Sequence, residues 1–370
     1  MLNFIKGRLR KLTRRKPQVQ FDLRNYFPKG EDYIIKEYNL AMMYDYAPPI
    51  SLDGERQFFL PSKNQVGLLD RYLAVFNHAR LHTQDGYVQL QNGRFIVETA
   101  WSKESILNNS YFFKLFEYPE KFKSGNWFSS LLFWNSAYYH WICDILPRFY
   151  QVLDDLPPDT RIIIPANPKE WQVKSLEAIG VDRKRMVEFP LNTIWKFEHL
   201  YFAPPVAMTG DHMHEAVAWI HRTVTNNLKI RAGYGKHIYI SRGQADRRRI
   251  VNEGVLIDYL KRYDFEVVNN ECLTFEQQVE LFHSASRIVA PHGAGLSNIM
   301  FSQVGTKVLE ILEKSTMRRC YWTLSNAKGL DYKCFVGNTV EIGLKGEADI
   351  EIDMHLFKLR FEAWLKSSDY

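Results

Sequence analysis

The stretch Arg287-Ile288-Val289-Ala290-Pro291-His292-Gly293-Ala294-Gly295-Leu296-Ser297-Asn298 reads as a buried strand that enters a glycine turn and then a helix. A helix start leaves its first backbone N–H groups without acceptors and aims them at whatever lies above the turn, which is the geometry of a phosphate seat. Gly293 and Gly295 are expected to permit positive φ and close backbone approach. The first-turn amides, Ala294 included, add roughly half a positive charge. His292 falls at the carboxyl edge of the strand, where open α/β sheets place their ligands.

Around this stretch the pattern is regular. His237–Ser241, Phe265–Val268, Arg287–Ala290 and Lys307–Leu312 read as strands, and Glu253–Arg262 and Thr274–Ser284 as helices, the second opened by a Thr274/Gln277 capping box. Strands separated by helices of this length predict right-handed crossovers and a parallel sheet. Ser241, Arg242 and Arg247 leave the first of these strands at the same edge as the His292 turn. Arginine forks match phosphate oxygens, so the two segments together describe a pyrophosphate clamp. Glu310, in the following strand, is expected to accept from ribose hydroxyls.

Upstream, Trp127–Trp134 is a continuous apolar run. A helix over Ala137–Leu153 would align His140, Asp144 and Arg148 in one row, with Pro147 kinking it. A carboxylate that holds an imidazole in one tautomer suits general-base work, and either His140 or Asp144 could take the proton. Arg161–Pro165, Met186–Phe189 and Ile194–Phe202 read as strands, with helices at Lys169–Ile179 and about Asp211–Lys229. His212 and His214 read as a capped helix start rather than a metal pair. Nearer the N-terminus, Tyr33–Leu40 and Gln57–Leu60 could be strands, and Asn92-Gly93 marks a hairpin within Tyr87–Glu98. A last helix, Met354–Ser367, is expected to pack back on the body.

The chain has 370 residues, 46% hydrophobic and 24% charged, with a net charge of +6. Seven of its 48 lysines and arginines lie in residues 1–16 with no acid among them, which leaves 41 bases against 42 acids. The body is therefore near neutral, which argues against a nucleic-acid partner. The basic tail, interleaved with Leu2, Phe4, Ile5, Leu9 and Leu12, has the composition of a segment lying on an anionic membrane face. With no signal-like or membrane-spanning run, the expected location is cytoplasmic, touching the inner membrane at most. Four scattered cysteines imply reduced core thiols rather than disulfides or zinc.

Four blocks carry a resemblance: His140-Trp141 with Asp144 and Leu146-Pro147-Arg148; Ile240-Ser241-Arg242 with Ala245 and Arg247 to Glu253; Phe275-Glu276-Gln277-Gln278-Val279; and Pro291 to Asn298 with Gly305 and Glu310-Ile311. In this order and spacing the chain resembles glycosyltransferase family 61 over about Asn135–Leu312. The resemblance implies two Rossmann-like domains facing across a cleft, the B-type glycosyltransferase fold, and inverting transfer from a nucleotide sugar without a required metal or other cofactor. Relatives include protein O-GlcNAc transferases and plant xylan glycosyltransferases, and bacterial members are commonly attached to capsule or lipopolysaccharide synthesis. The expected organisation is a tail over 1–20, an acceptor-side domain over 21–210, a donor-binding domain over 211–345 and a closing helix over 346–370. Catalysis falls to His140 and Asp144. Donor binding falls to Ser241, Arg242, Arg247, His292, Gly293, Ala294, Gly295 and Glu310, and the acceptor side to Tyr139, Arg148 and Asn298. The acceptor is expected to be a saccharide, free or lipid-linked. A non-catalytic nucleotide-sugar-binding subunit is the alternative. An α/β-hydrolase fails because no Gly-x-Ser-x-Gly elbow follows the His292 loop.

Overall fold

The computed structural model describes residues 19–20, 33–39, 42–48, 50–52, 65–100, 105–106, 118–231, 233–314, 318–340 and 348–366. The basic tail and the Gln57–Leu60 strand lie outside the described residues. The fold is mixed α/β, built on a ten-stranded and a seven-stranded sheet.

In the first sheet, apolar runs that cannot face water become a parallel centre. Strands β3 (Glu120–Ser129), β4 (Arg161–Ile164), β5 (Met186–Glu188) and β6 (Ile194–Phe202) run parallel in the order β6-β3-β4-β5. Two earlier strands, β1 (Arg71–Asn77) and β2 (Arg80–His82), pair antiparallel with β6 and continue the sheet toward the N-terminal hairpin. That hairpin forms between Tyr87–Gln89 and Phe95–Ile96. Its loop is longer than a two-residue Asn-Gly turn, with Leu90 N–H bonded to Arg94 O at 2.8 Å.

The second sheet is parallel in the order β8-β7-β9-β10-β11, from β7 (Lys236–Ile240), β8 (Phe265–Val268), β9 (Ala285–Pro291), β10 (Lys307–Glu313) and β11 (Asp331–Thr339). Helices α1 (Glu170–Ala178), α2 (His214–Asn227), α3 (Glu253–Leu260), α4 (Phe275–Ser284), α5 (Cys320–Lys328) and α6 (Met354–Lys366) flank the strands. The capping box forms on α4, where Thr274 and Gln277 each accept from the other's backbone N–H. Helix α6 packs back on the body, and Phe357, Phe361 and Trp364 are buried.

Both parallel arrays reverse direction at one place. In β6-β3-β4-β5 the order of successive strands turns back between β3 and β6, and in β8-β7-β9-β10-β11 between β7 and β9. A crevice opens above the carboxyl ends of strands at such a reversal. The largest apolar cluster takes side chains from both sheets' helices, from Trp141 and Ile142 to Ile299 and Met300.

Several expectations need correction. The Ala137–Leu153 helix is a succession of an α-turn at Tyr138–His140, a π-turn at Trp141–Ile145 and a 3-10 turn at Leu146–Phe149. Pro147 has no N–H for a carbonyl in the preceding turn, and the widened turn absorbs that loss. One extra residue in a turn rotates every later side chain by roughly 100°. Helix α2 starts at His214, later than Asp211, after an N-cap Met213 that makes no side-chain cap. All four cysteines are free, but Cys272 is exposed rather than in the core. Among the described residues no helix is long and apolar enough to cross a membrane.

Candidate functional site

The first half of the site comes off the carboxyl end of β3. The α-turn carries His140 one turn before Asp144, and the two side chains meet as the sequence spacing implies: Nδ1 of His140 donates to Oδ2 of Asp144 at 2.6 Å. Thr209 donates its hydroxyl to the same carboxylate oxygen. The side chain of Asp144 is 6% exposed and that of His140 18%. The carboxylate is thus fixed from two sides and fixes the ring in turn, leaving Nε2 as the atom that can take a proton. Thr209 lies in the linker before α2, and nothing in its sequence context marked it.

Arg148 does not join this row. The π-turn rotates it into the core, where it is 1% exposed and donates Nε to Ala203 O at 2.9 Å, between the rings of Phe128 and Phe202. Burial lowers its pKa to about 10. It is a tie between β3 and β6 rather than an acceptor-side residue. Asn298 is likewise fully buried: it accepts from the Tyr138 hydroxyl at 2.6 Å and donates to Gln278 Oε1 at 2.7 Å. Its amide fastens the His140 segment to the turn after β9.

The second half sits where β7 and β9 part. The turn after β9 is a 3-10 helix, Ala294–Phe301. Gly293 has φ 178°, an extended conformation open to any residue, so positive φ is not what the glycine supplies. It supplies room, since the Arg242 guanidinium lies in the space a side chain at 293 would fill. Gly295 does the same for the Asn270 amide. Arg242 is braced by Nη2 donating to Arg247 O at 3.1 Å, while the Arg247 side chain itself is exposed. Ser241 gives its hydroxyl proton to Glu253 at 2.9 Å, and Glu253 also accepts from Tyr239. Ser241 therefore builds the β7–α3 turn, and its proton is not offered to a ligand.

Arg248, one residue beyond the expected set, holds its backbone at φ 56° and turns partly inward. Burial lowers the pKa of both Arg242 and Arg248, and each lies in the field of neighbouring arginines, Arg318 among those acting on Arg248. The Nε of each makes no hydrogen bond. Clustered guanidinium groups repel one another, so the arrangement favours an anion between them.

Glu310 is also not where the sequence suggested. It is fully buried, accepting from His292 Nδ1 at 2.5 Å and from the Tyr332 hydroxyl. A carboxylate beneath the sheet edge cannot reach a ribose, and it orients His292 instead. The site therefore contains two His–carboxylate pairs. A file of rings joins them: His140 to Tyr139 at 5.2 Å, Tyr139 to Tyr321 at 5.9 Å, and Tyr321 to His292 at 5.1 Å. The Tyr321 hydroxyl donates to Gly293 O at 2.7 Å, and the buried Tyr139 hydroxyl makes no hydrogen bond. His212 is buried beside Tyr139, pushed down to about 3 by burial, with Nδ1 bonded to Thr323 at 2.9 Å.

Among the described residues no group of three or more His, Cys, Asp or Glu is placed to hold a metal. A surface cavity of about 960 Å³ lies elsewhere, between β8 and α4, and none of the residues of this site lines it.

Residues 138–309 match the family model described as glycosyltransferase 61. No curated protein matches the chain.

Proposed function

With the chain belonging to glycosyltransferase family 61 over residues 138–309, we propose that it is an inverting, metal-independent enzyme that moves a sugar from a nucleoside-diphosphate sugar to a saccharide hydroxyl. The observation that carries this reading is the pairing across one hydrogen bond, Tyr138 to Asn298, of a His–carboxylate pair with an arginine-lined glycine turn. Each stands at the carboxyl end of a parallel array, as a B-type arrangement of two Rossmann-like units would place them.

In this mechanism Nε2 of His140 takes the proton of the acceptor hydroxyl as its oxygen attacks the anomeric carbon. Asp144, held by Thr209, keeps the ring in register and balances its charge once protonated. The bond from the anomeric carbon to the diphosphate oxygen breaks with its electron pair on that oxygen. Arg242, Arg248 and the first-turn amides of Ala294 and Gly295 meet the charge as it develops. Fixed cations do here what a bound divalent ion does in other transferases, so transfer should survive chelation with EDTA. A surface glycan is the acceptor this reading favours, with residues 1–16 holding the enzyme near the cytoplasmic membrane face.

The division of labour is tested by substitution. His140→Ala and Asp144→Asn should abolish transfer and keep the thermal shift given by nucleoside diphosphates. Arg242→Ala should lose that shift. An equal loss of nucleotide binding in all three variants would refute the assignment.

A further inference from the structure

Trp134 is 45% exposed, and its backbone is held at φ 56°. The left-handed region is disfavoured for bulky residues and is occupied by glycine or asparagine where only a turn is needed. The conformation is imposed from the next residue. Buried Asn135 donates its amide to Leu132 O at 2.8 Å and to Gln84 O, and its own carbonyl accepts from Gln172 at 3.0 Å. The turn is thus clamped on both sides, and Trp134 stays partly exposed. Strain kept in place by its surroundings is concentrated at functional positions.

The indole also has a definite neighbour. Its ring centre is 4.7 Å from that of His140, and Phe133 meets it edge-on at 5.5 Å. The next residues in the turn, Ser136 and Ala137, are small and exposed.

We infer that Trp134 is the platform on which the acceptor sugar lies, its apolar ring face against the indole and its reacting hydroxyl over Nε2 of His140. This rests on the transfer reading above and narrows it: the acceptor is a pyranose, not a peptide or lipid hydroxyl. A flat aromatic face with polar groups at its margin suits a sugar ring, which is apolar on its faces and polar around its rim. A peptide would need an open strand edge or a longer groove.

The probe is a set of methyl glycosides (glucoside, galactoside, mannoside, xyloside and N-acetylglucosaminide) observed by saturation-transfer NMR on the full chain. Wild type should show transfer to the ring protons of at least one. Trp134→Ala and Trp134→Gly should weaken that glycoside roughly tenfold or more, and Trp134→Phe should retain much of it. Nucleoside-diphosphate thermal shifts should be the same in all four proteins. Trp134→Gly should melt at or above the temperature of Trp134→Ala, because both lose the indole and glycine adopts φ 56° without strain. An absent glycoside signal in wild type, an undiminished one in Trp134→Ala, or a melting temperature in Trp134→Gly below that of Trp134→Ala would overturn the platform. A glycoside signal lost in Trp134→Ala, with no nucleoside-diphosphate shift in wild type, would keep the platform and remove the transfer reading.

Discussion

Replacing Gly293 by alanine separates room from flexibility. The backbone there, φ 178° and ψ 162°, is one alanine adopts freely, so the fold should be neutral or gain about 0.4–1 kcal/mol through the unfolded chain. The added Cβ would lie 2.1 Å from Nη1 and 2.9 Å from Cζ of Arg242. Nothing fits at that distance, and the guanidinium, at the end of a flexible side chain, must swing off the turn. A hydrogen bond to a charged group is worth about 1.5–3 kcal/mol, so nucleoside-diphosphate affinity should fall roughly 10- to 150-fold. Calorimetric titration with UDP, GDP, CDP and ADP reads the loss directly. Arg242→Ala should cost about as much, and the double variant no more than either alone, because both remove one interaction. Wild-type affinity in Gly293→Ala, or costs that add in the double variant, would refute the idea that the glycine exists to seat Arg242.

Buried titratable groups should make the stability of the fold depend on pH. His82 and His212 are pushed down to about 4 and about 3 by burial. Below their ordinary value near 6.5 the unfolded chain binds protons that the native rings refuse, so stability is complete above that pH. Between pH 6.5 and about 4 it should fall by as much as about 2.7 kcal/mol per pH unit, and a flat melting temperature over this range would contradict the burial of both rings. Lys328 is buried and lowered to about 8. Near neutral pH its charge burdens the native state, so Lys328→Met should raise stability by up to about 3 kcal/mol. From about pH 8 to 10.5 the native amine is neutral while the unfolded one still holds its proton, so wild type should regain that difference. Denaturant titrations at about pH 7 and about pH 10 measure the closing gap.

Strands β7 to β10 of the second sheet were legible because each is an apolar run punctuated by a cap or a glycine, and Thr274 with Gln277 marks its helix outright, whereas β11 was not read from the sequence. The His140–Asp144 contact was legible too, because it spans a single turn and survives the change of helix type. Arg148 is misplaced by sequence reasoning for the opposite reason: Pro147 signals a kink, whereas the chain answers it with a wider turn. Glu310 does carry a clue to its role, since a carboxylate in the middle of a strand buried on both faces must find a donor inside, and His292 lies just past the end of the adjacent strand. Which arginine of Arg247-Arg248-Arg249 turns inward depends on a left-handed backbone at Arg248 that no propensity encodes. Trp134 is a similar case, because Asn135, not the tryptophan, dictates its conformation.

The apolar interior common to the two sheets limits how a substrate can enter. Prising the arrays apart by the width of a sugar would wet Trp141, Ile142, Ile299 and Met300 together, at about 1.5–3 kcal/mol for each side chain. Admission and exit therefore belong to the rim, beside the Trp134 turn and the Arg242 segment, while the interior stays dry. A hinge that parted the two arrays would meet that cost at every opening.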